Sequence, residues 1–600
     1  MAGLLHLNVE KVCVHLNVTA SFKQTRFHLG GLMVHSFSLT DDPWLLLPPA
    51  VGGPARERSL RTALLEAHEF GDLVVELPTQ RPAVFRQVLL PVILDALGRP
   101  ADEREWMNWF SAGQWSQAQR RRLEEYLDAD CGLFDLFSPV QPFGQVAGLR
   151  TTKGETKNVG LIVATAATGN NVPLFASRTE YDSFSLTPAQ AAHWLLHTQC
   201  WDTAAIKTGV VGDLKAKAGK TTGNPTGPLG QMGVTLLVGT TLFETLLLNL
   251  PVGAPPASTD LPQWKRREPA DPRAAGTPQW QERAPEGLLD LWTWQSRRIR
   301  LFPEVIDEGL RVTRVLVAAG DRMPHTPETE PHTMWRVEPT GGRSAGRSRG
   351  GATPPRRPLR LQPGKAAWRG LDALLAPERQ SREAGEKTSG FATSKLLDQA
   401  GSLAPDLGEA YPLRVELSGV AYGNQSAVID DVMFDALPLP LAALEADSDV
   451  RSALLEVAEQ AEQLAMAVNH LSADLRRALG TEPIPWDKGQ RPGELVLHAL
   501  DPLVRRLLTG MRGVEDLERI EAGQLAWEQL AWRRSWEVAD RLLQAVPVGA
   551  FVGRSVSQGE GKPERTHRVS LAEAFFLKRR AEILHRADAV RRNGHSPDGQ

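Results

Sequence analysis

The sequence predicts an α+β protein in which a mixed α/β N-terminal globular domain is followed by a C-terminal four-helix bundle. Three observations carry this reading. Six hundred residues exceed what one hydrophobic core organises, so two or more domains are expected. Strand-like runs at 234–238 and 311–317 are interspersed with helical patterns over the first two thirds of the chain. Beyond Pro438, Val450, Leu454, Val457, Ala461, Leu464, Val468, Leu471 and Leu475 recur at alternating steps of four and three, the seam of a bundle helix.

Taken in order, residues 1–36 form an extension poorly committed to structure. Met33 precedes the first convincing segment and is expected to be the natural start. Residues 37–437 form the mixed domain. Leu60, Leu64 and Leu65 share one helical face, as do Val84, Val88, Leu89, Val92 and Ile93. Residues 103–127 read as one further amphipathic helix with Trp106, Trp109 and Trp115, and a loop-rich section spans 134–185. Thr187 as N-cap with Pro188 in the first turn opens a helix to Trp201. Residues 234–250 read as a strand followed by a buried helix. Residues 339–371 carry eight basic residues, Arg343 to Arg369, and no acid, which predicts a flexible basic loop. The bundle occupies 438–592, with further helices at 492–508 and 516–546 and a fourth opened by the capping box Ser570-Leu-Ala-Glu573. Residues 593–600 are a frayed tail.

Composition narrows the function classes. With 68 Lys and Arg against 71 Asp and Glu, net charge is −3, so any nucleic-acid contact must come from local patches. Three cysteines (Cys13, Cys131, Cys200) make neither a disulfide framework nor an all-cysteine zinc site, which fits a reducing, cytoplasmic setting. The most apolar stretch, 234–250, contains Gly239, Glu244 and Asn249 and is too short and polar to span a bilayer, so no membrane partner is expected.

Several motifs suggest chemistry. Gly219-Lys220-Thr221 resembles the end of a phosphate-binding loop, but the first glycine that motif needs is replaced by Leu214. His193 and His197, with Cys200 one turn on, either hold a metal or are helix histidines satisfied by neighbouring backbone; the catalytic glutamate of a zinc protease helix is absent, Trp194 standing there. Residues 207–239 are different. Lys207, Lys215, Lys217 and Lys220 are four of the chain's fifteen lysines, eight glycines accompany them, and Asp213 is the sole acid. Glycine lets backbone approach a polyanion and lysine supplies phosphate charge, so nucleic-acid contact and a solvated flexible loop both fit.

These segments together resemble the CasA family, the large subunit of the type I-E CRISPR surveillance complex Cascade. The matching stretches are Phe37-Ser-Leu-Thr-Asp-Asp-Pro-Trp44, Ser59-Leu-Arg-Thr-Ala-Leu-Leu-Glu-Ala-His68 and Gln141-Pro-Phe-Gly-Gln145. They continue with residues 188–201, Lys207-Thr-Gly-Val-Val-Gly-Asp213, residues 234–250, Pro331-His-Thr-Met-Trp-Arg336 and Ala421-Tyr-Gly-Asn-Gln-Ser426. The resemblance implies an N-terminal domain of unusual topology and a non-catalytic role without cofactor. It implies a subunit that reads the protospacer-adjacent motif (PAM) of double-stranded DNA from the minor groove, whose degenerate donor and acceptor pattern suits tolerance of several motifs. It further implies duplex opening, recruitment of a helicase–nuclease, and partnership with crRNA and the other Cascade subunits. The competing reading is a protein-binding scaffold built on the Trp-rich bundle; a nucleotide-dependent enzyme around Lys220-Thr221 is a third.

Residue by residue, the resemblance places DNA contact on Lys207, Gly209, Gly212 and Lys215, a basic finger on Arg322, and docking beside the crRNA 5′ handle on Asn171, Leu174 and Phe175. It places a strand-separating wedge on Gln425, beside Asn424. The turn reads as hairpin-like, with Gly423-Asn424 supplying positive φ. Some relatives carry clustered cysteines suggestive of zinc; residues 295–325 here hold none, so no metal is assigned.

Overall fold

The helix Pro188–Trp201 forms the spine of the N-terminal part. Thr187 and Gln190 cap it reciprocally and Pro188 sits in its first turn, as the sequence requires. It is buried from Ala191 through Trp201 on every side, the mark of a core helix. In this computed structural model the described residues are 27–29, 32–168, 182–266, 276–337, 356–376, 390–484, 491–556 and 565–593.

Two antiparallel sheets flank the helix. In one, Arg414–Tyr422 is central, pairing with Val234–Val238 on one side and Ile429–Pro438 on the other. In the other, Gly309–Ala319 lies between Arg297–Ile306 and the short strand Lys157–Asn158. Val234–Val238 is buried at every position and feeds the helix Leu242–Leu248, the strand-then-helix order expected. A small third sheet centres on Trp335–Val337.

The C-terminal bundle consists of Asp449–Ala478, Pro492–Gly510, Leu517–Gln544 and Val569–Ile583. All eight seam residues of the first helix are buried, and that helix packs against the other three. Trp527, Trp532 and Trp536 of the third bundle helix serve the bundle itself: the indole N–H of Trp527 donates to Gln460 (2.8 Å), and Trp532 and Trp536 pack against the Arg580 guanidinium. Bundle and N-terminal part are joined by charge and packing. Arg505 forks onto Asp435 (2.8 Å), and the Trp368 indole N–H donates to Asp501 (2.9 Å).

Four sequence expectations change. The stretch 103–127 is two helices, Glu103–Ser111 and Gln117–Ala129, because Gly113 adopts φ +68° and Ser116 with Gln119 builds a fresh capping box. Residues 356–371 of the expected flexible loop 339–371 are built into the fold: Arg356–Pro358 pairs with Trp335–Val337, Trp368 is fully buried, and Arg369 reaches Glu462 on the bundle. The Ser570 capping box is not formed. The hairpin Arg554–Val556/Arg565–His567 delivers the chain straight into a helix that begins at Val569, so Ser570 lies inside the first turn. Within the extension 1–36, Phe27–Leu29 and Leu32–Val34 pair as a short ribbon.

Candidate nucleic-acid interface

The lysine- and glycine-rich segment is an ordered loop on a two-residue ribbon, Lys207–Thr208 against Lys220–Thr221. Asp213, the one acid in it, is its internal acceptor. Its carboxylate takes the Thr221 hydroxyl (2.7 Å), the Lys215 N–H (2.9 Å) and the indole N–H of Trp280 (3.1 Å). The solvated flexible loop is therefore not what forms. Nor does the phosphate-binding loop, since Lys220-Thr221 lie on a strand and no helix begins directly after them.

The glycines answer to the loop's own geometry. The Gly209 N–H donates to Gly219 (2.8 Å), and a Cβ at Gly209 would lie 2.7 Å from the Gly219 carbonyl carbon. Gly212 adopts φ +92°, and a Cβ there would lie 2.6 Å from Pro278 Cγ.

Lys207 departs from expectation. Its ammonium is buried and sits 2.6 Å from Asp202, which also accepts from Arg297. Burial acts to raise the Asp202 pKa, but Lys207 and Arg297 together outweigh it and hold the carboxyl below the ordinary range. Burial pushes the Lys207 ammonium down, against the pull of Asp202. The expected solvent-facing phosphate contact is thus a structural cation instead, because the ribbon turns its side chain inward under the C-terminus of the spine helix.

Lys215 and Arg322 are brought together. Lys215 is exposed with Nζ 3.9 Å from the Trp280 ring centroid, and the Arg322 guanidinium lies 3.9 Å from the same ring. Arg322 also donates to the Thr222 carbonyl (2.6 Å) and to Asn224 Oδ1 (3.3 Å), and Asn224 in turn donates to Thr221 (2.9 Å). Among the described residues neither cation has a carboxylate partner within ion-pair distance, and neither do Lys217 and Lys220, which are exposed.

Asn424 and Gln425 project from the turn between Arg414–Tyr422 and Ile429–Pro438, and both are exposed. The positive φ values fall two residues later than expected, at Gln425 (+52°) and Ser426 (+55°), not at Gly423-Asn424. Gly423 is needed for space: a Cβ there would lie 2.4 Å from Asp430 Oδ1. Left-handed backbone at a residue with a side chain costs ~1–2 kcal/mol, so the turn is held from outside. The holding contacts are the Ser426 carbonyl accepting from the Ala204 N–H (2.8 Å) and the Tyr422 hydroxyl donating to the Trp201 carbonyl (2.6 Å). Ala204 and Trp201 belong to the segment leading into Lys207, so the turn and the basic loop share one foundation.

A cavity of about 370 Å³ lies beside this foundation, walled by Lys157, Thr168, Lys207 and Ala427. Asn171, Leu174 and Phe175 fall outside the described residues.

The histidine pair faces partners within the fold: His193 Nε2 lies 3.0 Å from the Trp44 carbonyl, its Nδ1 being buried without a hydrogen-bond partner among the described residues, and His197 Nε2 lies 3.0 Å from the Thr79 hydroxyl. Burial pushes the Cys200 thiol up to about 12, so it is protonated at neutral pH. In the single three-ligand cluster among the described residues, Glu456, Glu528 and His585, the two carboxylates are bridged by the Arg586 guanidinium.

Sequence reasoning missed Trp280 and Asn224. Trp280 stands far from the basic loop in the chain, two residues after Pro278, with no pattern to mark it. Asp213 carried a signal: a lone acid in a basic, glycine-rich loop is a natural internal acceptor.

The family model for CRISPR-associated protein Cse1 matches residues 38–538. A CasA/Cse1 protein of Thermus thermophilus is 27% identical over 451 residues, covering 74% of this chain and 79% of its own length. Among solved structures, Thermobifida fusca Cse1 superposes with a TM-score of 0.74 at 30% identity, covering 92% of this chain and 98% of that one. Cse1 from Acidimicrobium ferrooxidans gives 0.72 at 29% identity, covering 94% and 99%. With the matched region reaching from the first buried strand into the third bundle helix, the chain belongs to the CRISPR-associated Cse1 family, the CasA-type large subunits of type I-E Cascade.

Proposed function

We propose that this subunit reads the PAM of double-stranded DNA and helps open the duplex within a crRNA-guided complex, and that it then recruits the helicase–nuclease. The observation that carries the reading is the shared foundation under two exposed features. Lys215, Lys217 and Lys220 of the basic loop, with Arg322 beside them, have no carboxylate partner among the described residues and stand next to a strained turn that projects Gln425. Cations track phosphates along the duplex without reading sequence, while a flat amide with donor and acceptor suits an opened base step. Unstacking costs a few kcal/mol per step, which an inserted side chain and bent-duplex contacts offset.

Docking to the crRNA 5′ handle is proposed for Asn171, Leu174 and Phe175, because the chain leaves Thr168 on the wall of the cavity beside the Gln425 turn. Leu174→Ala with Phe175→Ala should abolish co-purification with the other subunits; full co-purification overturns the assignment.

The decisive experiment for the DNA reading replaces Lys215, Lys217 and Lys220 with alanine in the reconstituted complex. Affinity for a PAM duplex should drop, and the slope of log affinity against log salt should flatten by about 0.9 for each phosphate no longer neutralised. An unchanged slope overturns the reading.

A further inference from the structure

We propose that Trp280 is the positioning residue of the DNA-reading loop, holding Lys215 and Arg322 at a fixed spacing toward one stretch of phosphate backbone. The inference rests on the reading of that loop as the DNA contact and goes beyond it by assigning the residue that sets its geometry.

The two cations come from distant parts of the sequence and are held at equal distance, 3.9 Å, from one indole. Trp280 is itself fixed on every side. It is 7% exposed, and its N–H donates to Asp213, which also accepts from the Lys215 backbone. The strand segment behind it is laid against the finger by two backbone bonds, Arg322 N–H to the Gln281 carbonyl (2.9 Å) and Arg283 N–H to the Arg322 carbonyl (3.0 Å). Pro278 underlies Gly212 of the same loop. One short segment, residues 278–283, thus supports the glycine turn, the lysine and the arginine together.

The chemistry of the support matters. A carboxylate could also hold two cations in place, but it would cancel their charge. An aromatic face attracts a cation through its quadrupole without cancelling its charge, which leaves the exposed Lys215 ammonium available to an anion while half-buried Arg322, already donating to Thr222 and Asn224, adds its positive charge. Restricting two long side chains before binding lowers the ordering cost when DNA arrives. An indole in contact with two cations that have no acid partner among the described residues therefore suits a site that must stay cationic and preorganised.

The test inserts tryptophan analogues of rising fluorination at position 280 alone, in the full reconstituted complex, and measures affinity for a PAM duplex. Shape and fold are kept while the ring quadrupole is removed. Affinity should fall stepwise, by roughly five- to thirty-fold across the series for two cation–π contacts. Trp280→Phe, which keeps a π face, should bind better than Trp280→Leu. Trp280→Leu should add nothing to Lys215→Ala with Arg322→Ala. A flat fluorination series, with the double cation variant still weaker in affinity and flatter in salt slope, overturns the role of Trp280 and leaves the DNA reading standing. A double cation variant with wild-type slope overturns the DNA reading itself.

Discussion

The carbonyl of Ser426 accepts a 2.8 Å hydrogen bond from the backbone N–H of Ala204, joining the turn that presents Gln425 to the segment that becomes the basic ribbon. Residues far apart in sequence thereby share one mechanical base, and each should respond to substitution according to whether it faces outward or in.

Gln425→Ala removes the projecting amide but keeps the strained backbone. PAM-dependent initial binding should remain, while strand separation slows. Permanganate reactivity of PAM-proximal thymines in the reconstituted complex measures this, and equal opening rates for variant and wild type would sink the assignment. Gln425→Gly should slow opening to the same extent yet gain thermal stability, because glycine adopts φ +52° without the ~1 kcal/mol penalty.

Lys207 and Lys215 should respond in opposite ways. Lys207→Ala strips a buried partner from Asp202 and should cost about 1–3 kcal/mol of stability in urea denaturation, leaving the salt slope of DNA binding unchanged. Lys215→Ala should leave stability within about 0.5 kcal/mol and flatten the slope by about 0.9. The reverse pattern would contradict the placement of both side chains.

Gly209→Ala should disturb the loop with no DNA present. The added methyl meets the Gly219 backbone rather than a flexible side chain, so the loop must shift. Faster amide exchange across residues 207–221 in the free protein is the expected result. Native exchange combined with weakened DNA binding would move the role of Gly209 from loop geometry to direct contact.

Stability should fall in acid partly through His197. Burial pushes its pKa down to about 3 from the ordinary 6.5. Between those values the unfolded chain binds a proton that the folded chain does not, so stability drops as pH falls through this window, by ~1.4 kcal/mol per pH unit for one proton. His197→Gln should show a shallower fall between pH 6 and 4 in denaturation series; identical slopes would mean the imidazole is protonated in the fold.

The parts legible in the sequence were those governed by local or periodic rules. The capped helix from Thr187, the strand at 234–238 and the bundle seam from Val450 to Leu475 are fixed by caps and spacing, and all appear as expected. What sequence could not show was direction. Lys207 and Lys215 look alike in a basic loop, and only the ribbon pairing turns one toward Asp202 and the other toward Trp280. The tightest constraint at Gly423 likewise comes from Asp430 across the hairpin, while positive φ moves to Gln425 and Ser426. Trp280 depends wholly on tertiary contact.

The hairpin Arg414–Tyr422/Ile429–Pro438 carries Gln425 at one end and Asp435, the partner of Arg505, near the other. At ~3.3 Å per residue the two ends lie ~30 Å apart along a single antiparallel ribbon. It acts as a lever arm. Its base is three-stranded, stiffened by Val234–Val238 as far as Ser418, and its tip is two-stranded. A tilt of the helical bundle against the N-terminal part would enter at Asp435 and reach Gln425 as a lateral stroke, resisted by the bond to Ala204. Bundle orientation and the position of Gln425 are in this sense one coordinate.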